Sequence, residues 1–242
     1  MKEDHIFAGK KQKILPFAFN QEVTDVFDDM LVRSVPLYKQ SIQRQAQLAA
    51  HFYQPGTRIY DLGCSHGNIG VIICNLLQKE AFSMIGVDSS RPMIQKYMKR
   101  LEKKNEAKRV KLVCGFIEDI EITDASVVII NLTLQFIRPA LRQHLIEKIY
   151  QGLKSGGILL LTEKIIHADK RIDALQTMFY TSFKLENGYS DLEISQKREA
   201  LDKALIPDTL DIHKKRILNA GFTKVELWLR WFNFSSLIAI KD

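Results

Sequence analysis

Arg58-Ile59-Tyr60-Asp61-Leu62-Gly63-Cys64-Ser65-His66-Gly67 runs from a short β-rich stretch into a glycine loop, and the apolar stripe Ile69, Ile72, Ile73 and Leu76 follows it at helical spacing. Strand, loop and helix in that order open a parallel βαβ unit. In the pattern D-x-G-x-x-x-G the glycines let backbone approach a ligand, and the helix behind the loop offers N–H groups that have no partner of their own. Such a loop suits the polar end of a nucleotide-like ligand. Cys64 and Ser65 stand where G-x-G-x-x-G of dinucleotide enzymes makes room for pyrophosphate, so NAD is disfavoured.

Working outward, the rhythm repeats. Strands are predicted over residues 58–61, 84–88, 110–115, 126–131 and 158–162, the last two from unbroken apolar runs. A basic helix follows the second strand, a helix marked by Leu141, Leu145 and Ile149 follows the fourth, and Gly156-Gly157 reads as a turn before the fifth. Residues 225–234 and 237–240, separated by Ser235-Ser236, predict a closing antiparallel hairpin. Asp88 ends the second strand 21 residues after Gly67, near the ~20-residue offset at which a carboxylate takes both ribose hydroxyls. The competing reading has Asp88 with Ser89 capping the helix that begins near Arg91-Pro92.

Two regions depart from the pattern. Residues 1–57 carry a mixed segment through Ser34-Val35-Pro36-Leu37-Tyr38 and then a helix with Ile42, Ala46, Ala49 and Phe52 inward. Residues 164–214 are longer than a plain crossover and helical, with Leu175, Met178, Phe179 and Phe183 spaced for one face, and read as an insertion or lid. The expectation is one Rossmann-like α/β domain over residues 1–242, mostly parallel, with an N-terminal extension and a helical insertion.

Composition narrows the function classes. The chain has 242 residues, 46% hydrophobic and 26% charged, ordinary for a globular fold. Its apolar runs are far shorter than the ~20 residues that span a bilayer. Met1-Lys2-Glu3-Asp4-His5 lacks the pattern of a secretory signal. Cys64, Cys74 and Cys114 are odd in number and show no metal spacing, which predicts a reducing, cytoplasmic setting without a metal. Thirty-five basic against 28 acidic residues give a net charge of +7, compatible with an anionic partner such as RNA or an acidic metabolite. Eight of the basic residues lie between Lys96 and Lys111, mixed with Glu102 and Glu106 on a helix with its own apolar stripe. A solvated helix face therefore outweighs a nucleic-acid patch, and direct tRNA binding is not expected.

Candidate reacting groups are few. The fourth strand ends in Asn131-Leu132-Thr133-Leu134-Gln135-Phe136, without the Asn/Asp-Pro-Pro-Tyr of amino-group methyltransferases. Cys64 falls inside the loop, while Cys74 and Cys114 fall on apolar faces and read as small core residues. His66 has the chemistry of a base but reads more simply as an exposed loop histidine. The whole arrangement resembles the class I S-adenosylmethionine-dependent methyltransferase fold across about residues 55–242.

A closer resemblance rests on Arg33-Ser34-Val35-Pro36-x-Tyr38, Tyr60-Asp61-Leu62-Gly63-Cys64-Ser65, Asn131-x-Thr133-Leu134-Gln135-Phe136, Lys148-Ile149-Tyr150-Gln151-Gly152-Leu153, Asn187-Gly188-Tyr189-Ser190-x-Leu192-Glu193-Ile194-Ser195-Gln196-Lys197-Arg198 and Phe232-Asn233-Phe234. These stretches are similar to the bacterial carboxy-S-adenosylmethionine synthase family. The resemblance implies a transferase that turns S-adenosylmethionine and prephenate into carboxy-S-adenosylmethionine and phenylpyruvate. It also implies a homodimer, and a companion tRNA carboxymethyltransferase that uses the product on wobble uridine. By the same resemblance Tyr38, Gly63, Cys64, Ser65, Asp88, Ser89, Phe116, Ile117 and Asn131 contact the ligand, and Arg198 grips a carboxylate. Phe116 departs from members that carry Asp there, so a side-chain hydrogen bond to adenine is lost at that position. The alternative for Arg198 is a surface pair with Glu193 or Glu199. The alternative for the whole chain is a conventional methyltransferase acting on a small molecule or tRNA, or a silent RNA-binding platform.

Overall fold

The computed structural model describes residues 2–202 and 204–242. Among these, the strands are β1 (Arg58–Leu62), β2 (Ser83–Asp88), β3 (Val110–Cys114), β4 (Ala125–Asn131), β5 (Leu153–Ile166), β6 (Asp208–Thr209), β7 (Lys224–Trp231) and β8 (Phe234–Ile240). They form a sheet in the order β3-β2-β1-β4-β5-β8-β7, with β6 pairing to the end of β5. The pairs from β3 to β5 are parallel, and β8 runs antiparallel to both β5 and β7.

The apolar runs explain the layering, because a parallel sheet is covered on both faces. Ile59, Val127, Ile129, Ile158 and Leu160 face one side, against Ile42, Ala46 and Ala49 of α2 (Tyr38–Phe52), Ile73 of α3 (Asn68–Leu76) and Leu101 of α4 (Arg91–Glu102). Their chain neighbours Tyr60, Val128, Ile130, Leu159 and Leu161 face the other, against Leu145, Ile146 and Ile149 of α5 (Pro139–Gly152) and Ile217 of α8 (Leu210–Asn219). Strand order reverses between β1 and β4, so a crevice opens at their carboxyl ends, where open α/β sheets bind ligands.

The N-terminal extension and the insertion close over that crevice. The insertion holds α6 (Lys170–Glu186), started by the Asp169 cap, and α7 (Asp191–Leu201), started by a capping box in which Ser190 and Glu193 exchange hydrogen bonds. Arg33 clasps it to the extension: its Nε donates to the Asn187 carbonyl at 2.8 Å and its guanidinium stacks on Tyr189, 3.9 Å from the ring centre. Tyr189 in turn donates its hydroxyl to Asp4 at 2.6 Å. Where the insertion returns, the buried Arg142 donates to the carbonyls of Ile137 and Ile206 at 2.8 Å each and to Asp208 at 2.7 Å. Two stretches that the resemblance had singled out, at Arg33 and at Asn187-Gly188-Tyr189, are thus two halves of one clasp.

Several expectations are corrected. Within the mixed segment before Tyr38, Gln21–Ser34 is a helix that sequence pattern alone does not separate out, α1, capped by the Asn20 side chain. The final hairpin turns at Phe232-Asn233, with Phe232 at φ 41°, and not at Ser235-Ser236. Those serines are buried within β8, where Thr162 donates to the Ser236 hydroxyl at 2.9 Å. Gly156-Gly157 is an irregularity inside a longer β5, whose pairing with β4 slips between Ala125 and Val127. Cys114 is exposed rather than a core residue, while Cys74 is buried. The spaced residues Leu175, Met178 and Phe179 of α6 face outward, between 43% and 55% exposed.

Candidate active site

The loop after β1 is shaped by what presses on it. Gly63 and Gly67 both take φ near 82°, where a Cβ is strained. A Cβ at Gly63 would also overlap the Thr133 side chain, and one at Gly67 the Tyr97 ring. The N–H groups of Gly63 and Cys64 bond to the Val87 carbonyl at 2.8 and 3.0 Å, fastening the loop to β2. No side chain caps α3, so its first turn is open to an anionic group such as a ligand carboxylate.

Asp88 is held at the β2 end by Ser65 N, which donates to Oδ2 at 2.9 Å, and by Ser90 N, which donates to Oδ1 at 2.8 Å. The cap of α4 is Ser90, not Asp88 with Ser89. Tyr38 is buried, and its hydroxyl accepts from Asn68 Nδ2 at 3.0 Å. Asn131, at the β4 end, accepts from Gln45 Nε2 at 3.0 Å, an orientation that frees its own NH2 for a ligand. The ten residues named from the resemblance, including Ser89, Phe116, Ile117 and Arg198, all border one cavity of about 700 Å³, within the range of small-molecule sites. Phe116 is 63% exposed at its rim, where its ring offers a packing surface in place of a carboxylate.

The cavity has two electrostatic ends. At one, burial and the neighbouring Asp88 push the Asp61 carboxyl up to about 7, and burial raises Asp88 against the pull of its two N–H donors. A ligand bearing ammonium and sulfonium charges relieves this crowding of carboxylates. At the other end lie Lys164, Lys184 and Arg198. Arg198 does not pair with Glu193 or Glu199; its guanidinium reaches Thr181 Oγ1 at 3.5 Å and faces the cavity. Phe17, Phe19 and Phe136 form an apolar roof, with Phe19 edge-on to both neighbours at 5.2 Å.

His66 is not an exposed loop residue. It is fully buried between α1 and α4, with Arg100 Nη1 2.8 Å from Nδ1 and Asp28 Oδ1 3.3 Å from Nε2. Arginine only donates, so Nδ1 accepts and Nε2 carries the proton. Burial drives the ring down to about 4, so it is neutral near pH 7, and it does not border the cavity. The Cys64 thiol is raised by burial and by Asp61 and Asp88, which keeps it protonated and unreactive.

Residues that the loop motifs did not announce complete the site. Glu163 Oε1 accepts from the N–H groups of Thr133 and Leu134 at 3.0 and 2.8 Å, and Oε2 from Gln135 N at 3.0 Å. This fixes the segment after β4 against Gly63. The signal was present: Glu163-Lys164 is a charged pair shortly after the apolar run over residues 158–161 of the same strand, a pattern that burial disfavours without a purpose.

Comparison with known proteins agrees with this geometry. Residues 59–157 match the methyltransferase domain family. Human N-acetylserotonin methyltransferase in complex with S-adenosylmethionine aligns with a TM-score of 0.62 at 15% identity, over 91% of this chain and 55% of that one. Sheet order, loop and acid define a class I S-adenosylmethionine-dependent methyltransferase fold. Within that class, a carboxy-S-adenosyl-L-methionine synthase from Desulforapulum autotrophicum is 52% identical over 241 residues, covering 100% of this chain and 98% of the relative. One from Photobacterium profundum is 44% identical over 239 residues, covering 99% and 98%. The chain belongs to the carboxy-S-adenosyl-L-methionine synthase family and is a transferase.

The raised Asp61 carboxyl sets a testable pH dependence. Between pH 3.8 and about 7 the folded chain retains a proton that the unfolded chain has released, so this group's contribution to stability declines as pH rises through that window. Asp61→Asn removes the decline. In urea unfolding of the ligand-free protein its stability relative to the parent should rise between pH 4 and pH 8, by on the order of 3 kcal/mol. Its affinity for S-adenosylmethionine should fall about 50-fold or more. A pH-independent difference, or unchanged affinity, contradicts the assignment.

Proposed function

We propose that this protein converts S-adenosylmethionine and prephenate into carboxy-S-adenosylmethionine and phenylpyruvate. The observation that carries the reading is the two-ended cavity: carboxylates at Asp61 and Asp88 suit the cationic substrate, and Lys164, Lys184 and Arg198 suit a dicarboxylate beside it. Prephenate loses its ring carboxyl as carbon dioxide and its ring hydroxyl as hydroxide, becoming aromatic. Hydroxide takes a proton from the methyl group on sulfur, giving water and an ylide. The ylide carbon then bonds to carbon dioxide, and the new carboxylate meets the Arg198 guanidinium, which is suited to a two-point grip. This chemistry needs no strong protein base, in keeping with a neutral, buried His66 and a protonated Cys64. It needs a site that sheds water, and the aromatic roof of Phe17, Phe19 and Phe136 lines the cavity with apolar surface.

In this reading the product leaves as the carboxymethyl donor for a separate tRNA carboxymethyltransferase, and the protein itself does not hold tRNA. The cytoplasm is the setting, in accord with three free cysteines. Among the described residues no helix is long and apolar enough to cross a membrane.

With prephenate present, mass spectrometry should find carboxy-S-adenosylmethionine from the parent and none from Arg198→Ala, whose S-adenosylmethionine affinity should stay within about twofold. Product without prephenate, or unchanged turnover in Arg198→Ala, defeats the reading. We also propose a homodimer, supported by the outward apolar row Ile172, Leu175, Met178 and Phe179 on α6. Light scattering should give twice the chain mass, and Leu175→Lys with Phe179→Lys should give the monomer; a monomeric parent refutes the dimer.

A further inference from the structure

Lys164 near the end of β5 and Lys184 in the last turn of α6 converge on one aromatic ring. Their ammonium groups stand 5.0 and 4.4 Å from the ring centre of Tyr180, one helical turn before Lys184. Lys184 is 8% exposed. Among the described residues neither ammonium has a hydrogen-bond acceptor or a salt-bridge partner, unlike neighbouring Lys197, whose Nζ meets Asp4 at 3.5 Å and Ser34 Oγ at 3.1 Å. The acid nearest in influence to Lys164 is Asp173, whose Oδ1 already accepts from His167 N at 2.8 Å. Burial and the mutual repulsion of Lys164, Arg198 and Lys197 push Lys184 down to about 7, and burial with Arg198 lowers Lys164. Lysines are almost never buried unpaired. Both border the cavity already described, on the β5 side.

Strand order fixes what they can reach. Asp88 ends β2, Asp61 lies one residue before the end of β1, Asn131 ends β4, and Lys164 lies beyond Thr162, the β5 partner of Asn131. With neighbouring strands about 4.8 Å apart, Lys164 is two strand spacings from the carboxylate end, where a co-substrate lies beside S-adenosylmethionine and not under it.

We propose that Lys164 and Lys184, both beside the Tyr180 ring, hold the carboxylate of the co-substrate that is not transferred, the 2-oxo-acid carboxylate that survives into the arylpyruvate product. This rests on the proposed reaction. The transferred carboxyl passes from anion to neutral carbon dioxide and back to anion, and its holder is Arg198. The spectator carboxylate keeps its full charge from start to finish. Two fixed ammonium groups anchor it throughout, and Tyr180 with Phe234, ring centres 5.4 Å apart, gives the six-membered ring an apolar wall.

Phenylpyruvate carries only the spectator carboxylate and separates the two holders. Calorimetric titration of the full chain, loaded with unreactive S-adenosylhomocysteine, should show phenylpyruvate binding that weakens about tenfold or more in the Lys164→Met, Lys184→Met double variant. Arg198→Ala should bind phenylpyruvate within about twofold of the parent. Lys184→Arg should retain most of the affinity, and S-adenosylhomocysteine affinity, unchanged throughout, reports the fold. Parent-like binding by the double variant overturns the proposal, as does a loss of equal size in Arg198→Ala or a parent that turns over prephenate yet does not bind phenylpyruvate. Lysine-dependent binding in a parent that makes no carboxylated product upholds the anion site and removes the proposed reaction instead.

Discussion

One buried carboxylate organises the centre of this molecule. Glu163 lies beneath the segment that leaves β4 and accepts three successive backbone N–H groups, from Thr133, Leu134 and Gln135. Burial pushes it up to about 8 while those donors and Arg142 pull it down. Such a group is tolerated in an interior only when its hydrogen bonds are complete. The consequence is geometric: Thr133 is pressed against the bare Cα of Gly63, Asn131 is presented to the cavity, and Leu132 is held at φ 57° between them. Backbone in that region persists only where its surroundings dictate it.

From that anchor the charge layout follows along the carboxyl edge of the sheet. Moving from β2 to β5, the strand ends carry carboxylate, carboxylate, amide and ammonium, at Asp88, Asp61, Asn131 and Lys164. The insertion adds Lys184 and Arg198 above the ammonium end, and the extension roofs the site with Phe17 and Phe19. In the proposed reaction this layout sets a cation and an anion side by side under a common cover, which is what transfer between oppositely charged partners requires. The clasp of Arg33 on Tyr189 and the Asn187 carbonyl keeps the two covering regions in register.

Features encoded locally were legible in the sequence, and features made by distant partners were not. The loop could be read because Gly63 and Gly67 occupy positions only glycine takes easily, and β4 and β5 because buried parallel strands are apolar on both faces. The final hairpin was placed three residues late, since Ser235-Ser236 looks like a turn and only Thr162, 74 residues from Ser236 in sequence, shows it to be an interior pair. His66 looked exposed because its partners Asp28 and Arg100 come from two helices outside the loop. The cationic end was half visible: Arg198 came from resemblance, whereas Lys164 and Lys184 are ordinary surface residues until α6 folds back over β5.

In the proposed reaction the carboxyl carbon passes directly from one substrate to the other inside this cavity. Prephenate isotopically labelled in its ring carboxyl, incubated with the protein and S-adenosylmethionine in unlabelled bicarbonate, tests it most directly. The expected result is a carboxylated product whose carboxyl keeps the label undiluted. Label recovered in bicarbonate with an unlabelled product, or a methyl group transferred intact to an acceptor, would contradict it.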